Sequence, residues 1–444
     1  MSFIADKQTL DDLNLMGQFK ANSIYNLFNQ VHTVGATKRM EAMFRFPLTD
    51  AVEINKRSDL FNYFGKQHLT FPFWEQQFNV VEQYLYDTAE SNLLFAGYST
   101  MKKQVLSLLI GDEQYKNLLI GLEAAVTVLN TLAEFICKLS KKDNPYTKQL
   151  QLVQSIFTDP RLVKILALKD GSFSWLQVIK YDYLLRYQLQ KEIKMLIEVV
   201  YDLDVYISVG NIAESKNFVY AVALSKHENR VQAEELRHPG LNNAVANSVS
   251  LRQESNVLFL TGANMAGKST FMKTFGTAMY LAHMGFPIAG RSLVFSVKDG
   301  IYSSINVPDN LNMGYSHFYA EVLRVKKVAE EVSDSKDLYV IFDELFKGTN
   351  VKDAYDATLA VTKAFAENRN CFFIISTHII EVGEALRDRC KHMQFSYLPT
   401  VLDGNKPRYT YKLQEGITTD RQGMMIIENE GILEILKGSS SENN

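Results

Sequence analysis

The apolar run Val257-Leu258-Phe259-Leu260-Thr261 leads straight into Gly262-Ala263-Asn264-Met265-Ala266-Gly267-Lys268-Ser269. No other stretch restricts the fold so tightly. The spacing is GxxxxGK[ST], which has physical meaning only where a strand ends in a turn and a helix begins. There the glycines let backbone N–H groups curl around a phosphate, and the helix N-terminus adds positive potential. Two later runs fit as further buried strands of one α/β sheet: Leu338-Tyr339-Val340-Ile341-Phe342 and Cys371-Phe372-Phe373-Ile374-Ile375.

Chemistry follows from where these runs end. Lys268 supplies a point charge for the β- and γ-phosphates of ATP, and the Ser269 hydroxyl is a ligand for Mg²⁺. Asp343-Glu344 closes the second run and sets two carboxylates at the sheet edge beside the loop. Asp343 can hold Mg²⁺ through water, and Glu344 can take a proton from an attacking water. Ser376-Thr377-His378 closes the third run, where His378 is suited to sense the γ-phosphate and orient that water. Alone, each piece has an ordinary reading as a glycine turn, a solvated strand end or a structural histidine. Their order along the chain favours a nucleotide site.

Charge and cysteine content narrow the rest. Lys plus Arg number 47 and Asp plus Glu 50, a formal net charge of -3 in 444 residues. A nucleic-acid contact would therefore come from folded local patches and not from a basic tail. Three cysteines occur, none in a CxxC pair, so neither a zinc finger nor a disulfide framework is expected. The start, Met1-Ser2-Phe3-Ile4-Ala5-Asp6-Lys7, lacks a signal-peptide pattern. The apolar stretch 118–139 carries Glu123, Asn130 and Glu134 and is expected as a buried helix, so a cytoplasmic protein with no membrane partner is expected.

Up to about residue 215 the apolar spacing is mostly helical. Between Gly171 and Gly210 lie 38 residues without Gly or Pro. As one helix they would span roughly 55 Å; two helices with a tight turn is the alternative. A break is expected at Gly210-Asn211, a β-rich segment over 218–224, and a polar boundary over 225–235. The tail 439–444 is expected to be disordered. The domain limits are then 1–225, helical, and 230–438, α/β.

The residues 261–270, from Thr261 to Thr270 with Asn264-Met265 inside the loop, resemble the MutS family of DNA mismatch-repair ATPases. Asp343-Glu344 followed by Gly348-Thr349 is similar to that family's second carboxylate motif and dimer loop, and Ser376-Thr377-His378 to its switch histidine. Leu236-Arg237-His238-Pro239 resembles the opening of its ATPase domain, and Val245-Ala246-Asn247 the part bordering adenine. In the first half Asp6, Thr9, Leu13, Leu15, the residues 23–27, Gly35, Pro47-Leu48 and Leu203-Asp204-Val205 resemble its core, or lever. The resemblance implies a multi-domain chain, an all-α lever-like N-terminal half followed by an α/β ABC-type P-loop ATPase domain. It also implies ATP and Mg²⁺, with Gly262 to Thr270 and Val245 around the nucleotide and Ser269 and Asp343 on the metal. Lys268, Glu344 and His378 act in cis, and Ser316 in trans from Asn312-Met313-Gly314-Tyr315-Ser316 of a second subunit.

A homodimeric, nucleotide-gated clamp on double-stranded or branched DNA, with little sequence specificity, is thus expected. An ATPase switch or scaffold for a protein, ribosomal or RNA partner is the alternative, favoured by the balanced charge. The resemblance begins at the core region, so the mismatch-recognition and connector domains are expected to be absent, as is a downstream nuclease domain. Two Phe-x-Glu matches, Phe73-Trp74-Glu75 and Phe365-Ala366-Glu367, fall outside the region where the family reads mismatches. Ala266 and His317 stand where relatives have Gly and Thr, and Ala266 is tolerable only with a negative φ.

Overall fold

The computed structural model describes residues 3–17, 22–86, 113–139, 144–167, 173–305, 317–403, 406–418, 432 and 435. The chain divides into two compact units, one of residues 28–43 and 59–214, the other of residues 1–27, 44–58 and 215–444.

The described part of the first unit is helical and carries no strand. Its longest helices are Glu113–Leu139 and Gln190–Lys216. The former buries Leu118, Leu122, Val126, Leu129, Leu132 and Ile136, a stripe at helical spacing. Among the described residues it is the one helix long and apolar enough to cross a membrane, and half of its apolar window is buried inside the unit.

The Gly-free stretch forms the helix Trp175–Tyr183, a π-helical turn Leu184–Gln188 and the helix Gln190–Lys216, joined without a loop. Beside the π turn, Arg186 pairs with Asp182 (Nε to Oδ1, 2.8 Å), and the Tyr84 hydroxyl donates to the same carboxylate at 2.8 Å. The expected break at Gly210-Asn211 is absent, for the helix continues to Lys216. Gly210 serves a close approach instead. A Cβ there would lie 2.5 Å from the Gly65 nitrogen and 2.7 Å from the Phe61 carbonyl oxygen of the helix Ala51–Lys66.

The second unit holds the strands, in chain order β1 (Val219–Tyr220), β2 (Val222–Leu224), β3 (Arg230–Leu236), β4 (Asn247–Arg252), β5 (Val257–Thr261), β6 (Pro287–Ile288), β7 (Ser292–Ser296), β8 (Gly300–Ser304), β9 (Leu338–Phe342), β10 (Phe372–Ser376), β11 (Met393–Tyr397), β12 (Thr400–Asp403), β13 (Lys406–Tyr409) and β14 (Gln414–Glu415). The main sheet runs β14-β11-β5-β10-β9-β8, parallel except for β14. β5, β8, β9 and β10 are buried along their whole length, as a parallel sheet covered on both faces requires. A second sheet runs β2-β7-β3-β4. β3 corrects the reading of 225–235 as a polar boundary. Val231, Ala233 and Leu236 are buried between polar or charged neighbours, so the segment is half-buried strand from Arg230 onward.

Residues 3–15 also belong to this unit. Ile4 bridges in parallel to Gly300, extending the sheet beyond β8. Asp6 caps the helix Lys7–Asp12 and pairs with Arg324 and Lys327 of the helix His317–Ser333. Asp12 accepts from the Ser303 hydroxyl at 2.8 Å and from the Ile305 N–H at 2.9 Å.

Candidate functional site

β5 and the helix Lys268–His283 flank the glycine loop, which is the context its spacing requires. Gly267 caps the helix at φ 104° and Gly262 sits at φ 146°, both in the region that favours glycine. Met265 takes φ 67° at the exposed crown beside Asn264. Ala266 is buried and has no positive φ, so the condition for a methyl there is met.

Inside the loop the Lys268 ammonium donates to the carbonyls of Gly262 (2.9 Å) and Ala263 (3.2 Å), with Glu344 Oε1 at 3.8 Å. Burial lowers the Lys268 pKa, and the Glu344 and Asp343 carboxylates oppose that shift. One residue along, the exposed Ser269 hydroxyl donates to Asp343 Oδ2. Parallel pairing of β5, β10 and β9 explains the meeting. It brings the ends of three strands, Thr261, Ser376 and Phe342, to one edge, and the residues that follow them converge.

Glu344 adopts φ 55°, a left-handed conformation unusual without glycine. Its N–H donates to the Ser376 carbonyl at 3.1 Å and to the Ser376 hydroxyl at 3.2 Å. The Ser376 hydroxyl in turn donates to Asp343 Oδ1. Thus Lys268, Ser269, Asp343 and Glu344 form one cluster with Ser376, a residue the sequence reading used only as a neighbour of His378. His378 lies exposed two residues further on. Gly348 and Thr349 lead to Asn350, which caps the helix Val351–Ala366 by accepting from Asp353 N–H at 3.0 Å. Ser316 and the Asn312–Tyr315 segment before it lie outside the described residues, as does the tail 439–444.

Beside the loop is a cavity of about 310 Å³, lined among others by His238, Leu241, Val245, Phe271, Thr274 and Tyr411; Gly267 and Thr270 form its border with the phosphate loop. Burial and the nearby Lys273 lower the His238 pKa. Its Nδ1 accepts from the Gly240 N–H at 3.2 Å. Tyr411 had no sequence signal. It is held there because Asn247, on β4, donates to its carbonyl at 2.9 Å and accepts from the Leu413 N–H at 2.8 Å.

Residues 258–441 match the MutS domain V family. The chain is 25% identical over 265 residues to the DNA mismatch repair protein MutS of Bacillus cytotoxicus, covering 57% of this chain and 29% of that protein. It is 26% identical over 296 residues to the protein of the same name from Listeria monocytogenes, covering 65% and 33%. It is 27% identical over 232 residues to the DNA mismatch repair protein spellchecker 1 of Drosophila melanogaster, covering 50% and 25%. The aligned part therefore spans about a quarter to a third of the length of these relatives.

Proposed function

Taking the chain as a MutS-family member through this partial match, we propose that it binds and hydrolyses ATP with Mg²⁺ and works as a homodimeric, nucleotide-gated clamp on DNA. The observation that carries the reading is the cluster of Lys268, Ser269, Asp343 and Glu344 under one glycine loop, with a cavity beside it.

The residues fit the ligand chemically. A buried ammonium resting on carbonyls suits a phosphate anion, and a hydroxyl facing a carboxylate is the hard-oxygen donor set of Mg²⁺. An apolar-lined cavity at the loop's flank suits a flat heterocycle. In this reading Gly262, Ala263, Asn264, Met265, Ala266, Gly267 and Thr270 wrap the phosphates, and Val245 borders the base. Lys268 neutralises the β- and γ-phosphates. Ser269 and Asp343 hold the metal, which when bound neutralises phosphate oxygens. Glu344 takes the proton of the attacking water at its carboxylate, which faces the Lys268 ammonium. His378 orients that water, and Ser316 of the partner subunit covers the γ-phosphate.

For the whole chain we carry forward the division into a lever-like helical domain, 1–225, and an ATPase domain, 230–438, in a cytoplasmic protein, with the difference that residues 1–27, 44–58 and 215–225 group with the strand-bearing unit. DNA contact would be mainly to phosphates, so it weakens steeply with salt. The balanced charge of -3 keeps a second reading in play, a switch or scaffold for a protein, ribosomal or RNA partner. Gel shifts on homoduplex, mismatched and branched DNA at about 50 mM salt, with and without a non-hydrolysable ATP analogue, separate the two. Nucleotide-dependent binding supports the clamp. No binding tighter than about micromolar at that salt refutes it in favour of the second reading.

A further inference from the structure

We infer that Ser376 is a positioning residue of the site, fixing the Asp343 carboxylate from one side and the Glu344 backbone from the other. The inference rests on the nucleotide reading above and adds a residue to it. Ser376 is the last residue of β10 and has no exposed surface, so water cannot substitute for its partners. A hydroxyl has one proton to give and two lone pairs to receive with. Here the proton goes to Asp343 Oδ1 and a lone pair takes the Glu344 N–H at 3.2 Å.

The two oxygens of Asp343 are divided between two hydroxyls. Oδ2 faces Ser269 and Oδ1 faces Ser376. Ser269 is exposed at the start of its helix, whereas Ser376 is enclosed in the sheet. A cation arriving at Ser269 and Oδ2 displaces the first hydrogen bond and leaves the second in place. Ser376 therefore sets the plane of the carboxylate before and after the cation binds. The same hydroxyl steadies Glu344 at φ 55°, a conformation that persists only where neighbours over-determine it. One side chain thereby fixes the separation of the metal-holding and proton-accepting groups.

Ser376→Ala tests this in the full chain, with Ser376→Thr, which keeps the hydroxyl, as the rescue variant. Losing a hydrogen bond to a charged acceptor predicts a fall in kcat of about ten- to a hundredfold. ATP affinity measured in EDTA stays within about twofold, since Lys268 and the loop are untouched. A second readout is independent of turnover. In the presence of a non-hydrolysable ATP analogue, the Mg²⁺ concentration giving half of the melting-temperature gain rises about tenfold in Ser376→Ala and returns with Ser376→Thr. An unchanged Mg²⁺ midpoint and unchanged kcat in Ser376→Ala overturn the inference. Equal losses in Ser376→Ala and Ser376→Thr also overturn it, since the hydroxyl is then not what matters. A wild-type chain that does not bind ATP at all fails the nucleotide reading instead.

Discussion

Gly210 sets two physical effects against each other, and their magnitudes decide the sign. It lies inside the helix Gln190–Lys216, where replacing glycine by alanine is worth about 1 kcal/mol in helix propensity. Against this, a Cβ would meet the Gly65 nitrogen at 2.5 Å, the Phe61 carbonyl oxygen at 2.7 Å and the Gly65 Cα at 2.8 Å. These are backbone atoms and cannot rotate aside. Non-bonded carbon contacts settle at about 3.5–4.0 Å, so the two helices must part by roughly 1 Å. That movement loosens the Phe61, Phe64, Tyr146 and Tyr206 rings, whose centroids lie 5.6–5.9 Å apart. Overpacking of this kind costs typically 1–3 kcal/mol. With propensity set against it, Gly210→Ala is expected to destabilise by up to about 2 kcal/mol, centred near 1 kcal/mol, a melting-temperature drop of up to roughly 8 °C. Urea denaturation followed by circular dichroism measures this, with Gly65→Ala as the reciprocal variant and the double variant to show that both act at one contact. A Gly210→Ala protein more stable than wild type would refute the close approach and leave propensity as the whole effect.

Lys268→Ala is expected to weaken ATP binding at least about a hundredfold, from loss of charge-assisted bonds to phosphate; calorimetry showing retained affinity would remove the nucleotide reading. Glu344→Gln should still bind ATP yet hydrolyse it about a hundredfold or more slowly, and with ATP should elute as a dimer on size exclusion. A Glu344→Gln chain that stays monomeric with ATP counts against a composite site. Burial works to raise the Asp6 pKa, but Arg324 and Lys327 outweigh it and hold the carboxyl well below the usual range. The sign is that of a depressed acid. Its contribution is full above the unfolded value of about 3.9 and is lost as pH falls through the folded value. Asp6→Asn should therefore cost about 1–3 kcal/mol at pH 7, with the gap to wild type closing as the pH drops below about 4. A gap independent of pH would show that the carboxylate charge is not what acts.

What could be read from the chain alone was what is local along it. The glycine loop, the Asp343-Glu344 strand end and the strand 338–342 all carry their pattern within ten residues, and the fold places them accordingly. The misreadings have a shared origin. Glycine signals either a break or a close contact, and only the arrival of Gly65 shows which Gly210 is. In β3 the buried Val231 and Ala233 alternate with Gln232 and Glu234, and the polar residues masked the strand. Tyr411 and the bridging role of Ser376 were beyond reach, because each depends on a partner over 30 residues away. Ser316 lies outside the described residues.

The seam between residues 3–15 and the strand β8 bears on how the chain is made. The Thr9 hydroxyl accepts from the Ser303 N–H, 294 positions away, and the Arg324 guanidinium that holds Asp6 comes 318 positions later. At a synthesis rate of about 5–20 residues per second, residues 3–15 wait roughly 15–60 s before their partners exist. During that interval Phe3, Leu13 and Leu15, all buried in the finished unit, have no sheet to cover. Residues 3–15 are thus among the last pieces of their unit to lock, and β8 stays an open edge until they do.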